Sequence, residues 1–318
     1  MFDKIYERIK LYKNIIIVRH IGVDPDALAS QVALRESLRK TFPDKKVLAT
    51  GISSARFNYF PKLDKLEELD DTLLIVVDTP DKKRIDYPNL EKAKEIIKID
   101  HHPVIDVFSK YDYVDVKSSS ASEIILEFIK ETELYIDQTI AEILFMGIVS
   151  DTNRFLYSTT PKTFALVRDL LEEYEMNITR LYSNLYMRPL NEIRLQGYIS
   201  QNMIVSPNGL ATTLLTNDIL TEFGVDSGSA GNMVNMYNNI EEVIVWATIS
   251  EDVKNDLFKF NIRSRGPSIN LIAEKYNGGG HKFAAGARVK TIDEVNQLIA
   301  DLEELCRIYR VGEVNEDK

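Results

Sequence analysis

Three short apolar runs, each ending in an acid or an imidazole, restrict the fold of this chain more than any other feature of its sequence. Ile15 to Val18 passes through Arg19 to His20 and the loop Asp24-Pro25-Asp26; Leu73 to Val77 ends at Asp78; the run EIIKID ends at Asp100-His101-His102. Continuously apolar, β-branched runs of this length read as strands covered on both faces. Helical periodicity follows in residues 137–149 and 161–174, the latter with Phe164, Val167, Leu171 and Tyr174 on one face. Strands alternating with helices specify an α/β fold with a doubly wound parallel sheet, in which ligands bind beyond the carboxyl ends of the strands. All three endings are therefore expected on one edge. A fourth acid, Asp151, follows the helix-like run Ala141 to Val149.

The chain has 318 residues, enough for two domains of roughly 100 to 200 residues each. Residues 1–190 are read as a catalytic domain, 191–208 as a polar linker, and 209–318 as a smaller α/β domain with a mixed sheet, with an active-site cleft expected between them. Its predicted strands are Ala211 to Leu215, Val243 to Ile249, Leu257 to Ile262 and Ala287 to Val289, with helices near Pro267 to Tyr276 and Ile292 to Tyr309. The tail after Gly312 is expected to fray. No run is long and apolar enough for a membrane span, and MFDKIYERIK carries charges where a signal peptide would be apolar, so a cytoplasmic protein with no membrane partner is expected.

A single cysteine, Cys306, excludes an intrachain disulfide framework and a cysteine-rich zinc site. It falls in a stripe with Val295, Leu298, Ile299, Leu302 and Leu305 and reads as a buried hydrophobe. The net charge of −10 argues against tracking a long nucleic acid, which draws its affinity from a basic face. Local phosphate binding through metal ions and a few placed arginines stays open.

Carboxylates gathered on one edge raise each other's pKa unless cations neutralise them. Oxygen and imidazole donors without thiolate suit Mn²⁺, Mg²⁺, Fe²⁺ or Zn²⁺. Asp24 and Asp26, two apart in a loop, could serve neighbouring ions. Taken singly, an Asp after a strand is more often a cap or turn residue, and a lone His is usually structural. The chain has only four histidines, however, and His20, His101 and His102 all stand at predicted strand ends. In the second half, Gly278-Gly279-Gly280 precede the fourth, His281. One glycine there would read as a helix C-cap; three let backbone N–H groups approach an anion. Arg263, ending a predicted strand, is either a phosphate contact or a surface arginine.

His20-x-x-x-Asp24-x-Asp26, Asp78, Asp100-His101-His102 and Asp151 resemble, in order and separation, the four motifs of the DHH phosphoesterase superfamily. Gly278-Gly279-Gly280-His281, followed by Ala284-Ala285-Gly286, resembles the signature of the DHH-associated C-terminal domain. The likeness spans nearly the whole chain and is strongest to the bacterial oligoribonuclease (nanoRNase) and pAp phosphatase branch. Val23 stands where that family usually has proline, a departure that removes no ligand.

The resemblance implies two divalent cations, Mn²⁺ first with Mg²⁺ or Co²⁺ as alternatives: one held by His20, Asp24 and Asp78, the other by Asp26, Asp78, His101 and Asp151. It places His102 at the scissile phosphate, Asp100 behind the histidines, and Arg263, Gly278, Gly279, Gly280 and His281 on the substrate's far phosphate or base. The choice between His101 and His102 as ligand and the role of Arg265 stay open. The implied activity is hydrolysis of RNAs of two to five nucleotides, or of 3′-phosphoadenosine 5′-phosphate (pAp) to AMP, by a water that the two ions activate, in a homodimer. Alternatives are a cyclic-dinucleotide phosphodiesterase, an inorganic pyrophosphatase and a nucleotide sensor without turnover.

Overall fold

A computed structural model describes residues 1–316, except the side chains of His281 and of residues 313–316. By its internal contacts the chain divides into Met1–Met187 and Arg188–Lys318.

The first unit runs α1 (Phe2–Leu11), β1 (Asn14–Val18), α2 (Pro25–Thr41), β2 (Lys46–Ala49), β3 (Thr72–Val77), β4 (Glu95–Asp100) and β5 (Tyr111–Val114). Four helices follow: α3 (Ala121–Glu131), α4 (Gln138–Asp151), α5 (Pro161–Glu173) and α6 (Ile178–Tyr186). Its five strands make one parallel sheet of order β2-β1-β3-β4-β5. The order reverses between β1 and β3, and an open α/β sheet forms its ligand crevice at such a point, outside the carboxyl ends.

Alternate strand residues enter different cores, which is why the runs read as unbroken apolar sequence. Ile15, Ile17, Leu73, Ile75, Val77, Ile97 and Ile99 pack against the helices. Ile16, Val18, Leu74 and Val76 face the other way, where Ile85, Tyr87, Leu90 and Phe108 from loops and 3-10 turns cover them. α4 is capped as its sequence indicates, with the Asp137 carboxylate accepting from Ile140 N at 3.0 Å. α5 is rotated from the expected setting: Thr163, Val167 and Leu170 are buried, whereas Phe164 and Leu171 are exposed. A Thr160–Thr163 capping box sets the rotation, and the Thr163 hydroxyl turns inward to donate to the buried Glu123 carboxylate at 2.8 Å. Counting apolar residues alone could not see a buried hydroxyl.

The second unit contains α7 (Leu190–Asn202), β6 (Ile204–Val205), β7 (Leu210–Leu215), α8 (Asn217–Phe223), α9 (Ser227–Gly231), β8 (Val245–Asp252) and β9 (Leu257–Ser264). α10 (Asn270–Lys275), β10 (Gly279–His281), β11 (Ala284–Val289) and α11 (Ile292–Glu316) complete it. Residues 191–208 are thus mostly helix, and α11 continues through Gly312 where fraying was expected. The sheet is mixed, in the order β10-β11-β9-β8-β7-β6. One face buries Val245, Ala247, Ile249, Phe260, Ile262, Ala285, Ala287 and Val289 with α11 residues Val295, Leu298, Leu302 and Cys306. The other buries Ala211, Leu215 and Trp246 with Leu195, Ala230, Val234 and Tyr237. Among the described residues no helix is long and apolar enough to cross a membrane.

In the first unit, α2, α3 and α4 meet at Gly147. A Cβ there would lie 2.0 Å from Ser122 Oγ and 2.8 Å from Ala29 Cβ. Gly147→Val is expected to lower stability by about 1–3 kcal/mol through overpacking, read as a shift in the denaturant midpoint. An unchanged midpoint would show that the helices can separate without cost.

Candidate metal centre

His20 follows β1, and its backbone bridges to Ile85 in the loop after β3. Its Nδ1 lies 2.9 Å from the Ile21 carbonyl oxygen. A carbonyl only accepts, so Nδ1 carries a proton and Nε2 is the nitrogen offered to neighbours. Asp24 caps α2, its Oδ1 accepting from Ala27 N at 2.9 Å, while Oδ2 lies 3.3 Å from His20 Nε2. Asp26, within the first turn of α2, is buried. Its oxygens accept from Ala121 N at 2.8 Å and Ser122 N at 2.9 Å, where α3 begins and its N–H groups lack helical partners.

Asp78 follows β3 with φ +50, a left-handed conformation that a residue with a Cβ adopts only where its surroundings enforce it. Its side chain is buried. Asp100 ends β4, and its Oδ1 accepts from His101 N at 2.9 Å and from His102 Nδ1 at 2.8 Å. Asp151 ends α4.

Two donor sets, His20 with Asp24 and Asp78, and Asp26 with His101 and Asp151, each bring their ligand atoms within 4.8 Å of one another, and Asp78 with His101 and His102 forms a third such group. Asp78 connects them: Oδ2 is 3.3 Å from His20 Nε2, and Oδ1 is 3.4 Å from His101 Nε2. His101 Nε2 is also 3.5 Å from Asp151 Oδ2. These separations are longer than the ~2.9–3.0 Å of a typical N–H···O bond. They suit donors that a shared cation would hold together. Asp78 Oδ1 is buried without a hydrogen bond, an acceptor that a cation would satisfy. The residues present therefore fit divalent cations.

The electrostatics agree with the geometry. Burial would raise Asp78, but His101 and His20 hold it well below the usual carboxylate range. Burial and then the Asp78 charge push Asp26 up to about 7. Loss of hydration and the charge of Asp26 also raise Asp151, although a third of its side chain reaches solvent. Burial opposes protonation of both histidines, yet Asp24 and Asp78 hold His20, and Asp78 and Asp151 hold His101, protonated up to about 10. Protons on imidazole stand in for cations.

Two supports for this centre escaped the sequence reading. Lys98 is fully buried with its ammonium 3.5 Å from Asp100 Oδ2. The signal was present, because residues two apart on a strand share a face. The grip of the first α3 N–H groups, those of Ala121 and Ser122, on Asp26 had no local signal, since the partners are 95 and 96 residues apart.

In the second unit, Arg263 on β9 pairs with Ala284 on β11, which pairs with His281 on β10. The next rows on that face are Asn261–Gly286–Gly279 and Lys259–Arg288. A cavity of about 320 Å³ is lined by Lys259, Asn261, Gly278, Gly279, Gly286 and Arg288, among others. Arg263 is half-buried, its Nη1 donating to the Ile262 carbonyl at 2.9 Å, and burial lowers its pKa. Packing alone requires Gly278 and Gly280, where a Cβ would meet Gly286 O at 2.0 Å or Ala284 O at 2.5 Å. At Gly279 nothing lies within 4 Å. Arg265 is engaged structurally, with Nη2 donating to Asn238 O at 3.0 Å and Ile240 O at 2.7 Å. The His281 side chain lies outside the described residues.

Residues 14–148 match the DHH family, N-terminal domain, and residues 208–307 the DHHA1 domain. The chain is 37% identical over 313 residues to the bifunctional oligoribonuclease and PAP phosphatase NrnA of Bacillus subtilis (strain 168), covering 96% of this chain and 99% of that one. It is 36% identical to the probable bifunctional oligoribonuclease and PAP phosphatase NrnA of Streptococcus mutans, over 96% and 99% of the two chains. A crystal structure of an exopolyphosphatase-related protein from Bacteroides fragilis shares the fold, with a TM-score of 0.83 at 24% identity over 96% of this chain and 97% of that one.

Cation binding should expel the protons that His20 and His101 hold up to about 10. Affinity for Mn²⁺ is therefore expected to rise with pH toward that value. Titration calorimetry in two buffers of different ionisation enthalpy measures the proton release; heats independent of buffer would contradict it.

Proposed function

The chain belongs to the DHH phosphoesterase family, and we propose that within it this enzyme hydrolyses short oligoribonucleotides to mononucleotides and pAp to AMP. The observation that carries the chemistry is the sharing of one buried carboxylate, Asp78, by the two imidazole-bearing donor sets. The substrate class rests on the full-length likeness to relatives named for those two activities.

In this reading His20, Asp24 and Asp78 hold one cation and Asp26, Asp78, His101 and Asp151 the other, with Mn²⁺ the first ion to test. When bound, such ions lower the pKa of a water and neutralise phosphate oxygens. The chain's own residues do the rest. His101 is assigned as the ligand because its Nε2 faces Asp78 and Asp151. His102 is assigned to proton transfer because Asp100 Oδ1 accepts from its Nδ1 at 2.8 Å, which orients the ring and sets its tautomer. Lys98 balances the charge of Asp100 from behind. Arg263 is proposed to bind a nucleotide phosphate, since it faces no carboxylate among the described residues while burial disfavours its lone charge.

Asp78→Ala should bring hydrolysis of bis(p-nitrophenyl) phosphate, pAp and a diribonucleotide to background. Appreciable turnover by the folded variant would reject the shared-ligand assignment. Arg263→Ala should raise KM for pAp and the diribonucleotide about 10- to 100-fold, as expected for a lost charged hydrogen bond of about 1.5–3 kcal/mol. An unchanged KM would remove Arg263 from the binding site. Pyrophosphate and a cyclic dinucleotide belong in the same assay, and a higher kcat/KM on either would redirect the substrate assignment.

A further inference from the structure

Arg84 ends the 3-10 turn Lys82–Arg84 that follows Asp78. Its backbone is fixed, with N–H donating to Asp81 O at 3.2 Å and the carbonyl accepting from Ile21 N at 2.7 Å. The next residue, Ile85, forms the bridge to His20. Among the described residues the Arg84 side chain has no such anchorage: the half-buried guanidinium approaches one group, with Nη2 3.4 Å from His20 Nδ1. That nitrogen already donates its proton to the Ile21 carbonyl at 2.9 Å. With the Nδ1 proton directed to that carbonyl, the contact sets a donor against a donor and gives the guanidinium no charged partner.

Arg84 makes no ion pair among the described residues, although Asp24 and Asp78 lie at the other nitrogen of the same imidazole. Arg19, which follows β1, is used differently. Arg19 is buried, with Nη1 donating to Asp86 at 2.7 Å and to the His20 carbonyl at 2.8 Å. Arg84 shares in neither bond. A half-buried guanidinium without a carboxylate partner keeps its donors for water or for an incoming anion. Cations bound by His20 would repel it further, so it does not serve the metal ligands. A phosphate oxygen is the acceptor that suits a guanidinium beside a metal centre.

We propose that Arg84 is a catalytic residue of the phosphoester hydrolysis proposed above, on which this assignment rests. Its guanidinium donates to a non-bridging oxygen of the substrate phosphate and stabilises the charge there as the phosphoester bond breaks.

The test compares wild-type, Arg84→Ala and Arg84→Lys chains on bis(p-nitrophenyl) phosphate, pAp and a diribonucleotide, with Mn²⁺ affinity measured by calorimetry on each. Arg84→Ala should lose about 100- to 1,000-fold in kcat, the range for removing one donor to a developing oxyanion. Its Mn²⁺ affinity should stay within about threefold of wild type, because the side chain ligates nothing. Added guanidinium salt should restore part of the lost activity, an effect a purely structural role would not produce. Arg84→Lys should fall between the two, because it keeps the charge and loses the fork. A kcat/KM for Arg84→Ala within about threefold of wild type on all three substrates would overturn the assignment. So would a fall in Mn²⁺ affinity in step with activity, which would make Arg84 a support of His20. A wild-type chain inert on every substrate with Mn²⁺, Mg²⁺ and Co²⁺ would reject the hydrolytic reading itself, and Arg84 with it.

Discussion

Asp78 is a buried carboxylate held between two imidazoles, His20 Nε2 at 3.3 Å and His101 Nε2 at 3.4 Å. A charge taken out of water needs close compensation, and the sheet supplies it from both sides. His20 comes from the neighbouring strand β1 and His101 from β4, on the other side of β3. The left-handed turn at Asp78 holds the carboxylate where the strand order reverses. Asp24, Asp26 and Asp151 then add negative charge that two histidines cannot balance in full. The raised Asp26 and Asp151 show the imbalance, and divalent cations are its chemical remedy.

The helices serve the same centre from behind the sheet. Gly147 and its neighbours Ala29 and Ser122 let α2, α3 and α4 come close. α2 carries Asp26, the start of α3 holds that carboxylate through two backbone N–H groups, and α4 ends in Asp151. One small residue in a packing seam thus links the stability of the unit to the setting of two carboxylates.

The strand-end acids and histidines were legible because a parallel sheet sorts residues by the end of the strand they follow, and this needs no knowledge of side-chain contacts. The start of α4 at Asp137 was legible for a similarly local reason, whereas Asp24, read as a loop ligand, also caps α2. What escaped depended on partners far along the chain. The rotation of α5 is set by Thr163 reaching Glu123, 40 residues away. The triple glycine was read as an anion cradle after a helix, whereas Gly278 and Gly280 are required by the close approach of β10 to β11. Only Gly279 keeps an open side, and only the strand pairing reveals it.

The arginines explain how an acidic chain can bind a polyanion. Arg19 has its guanidinium matched by Asp86 and carbonyls, and Arg35 by Asp64, Glu36 and the Lys62 carbonyl. Both are buried, and both are consumed in holding loops, Arg19 to the end of β1 and Arg35 to α2. Arg84 and Arg263 are half-buried and face no carboxylate among the described residues. In a chain with 49 acids and 39 lysines and arginines, an enclosed arginine without an acid is a departure from the general pairing. Net charge therefore says little about where a phosphate binds; what matters is which cations the fold leaves unmatched, and whether they stand beside donors that a metal ion would organise.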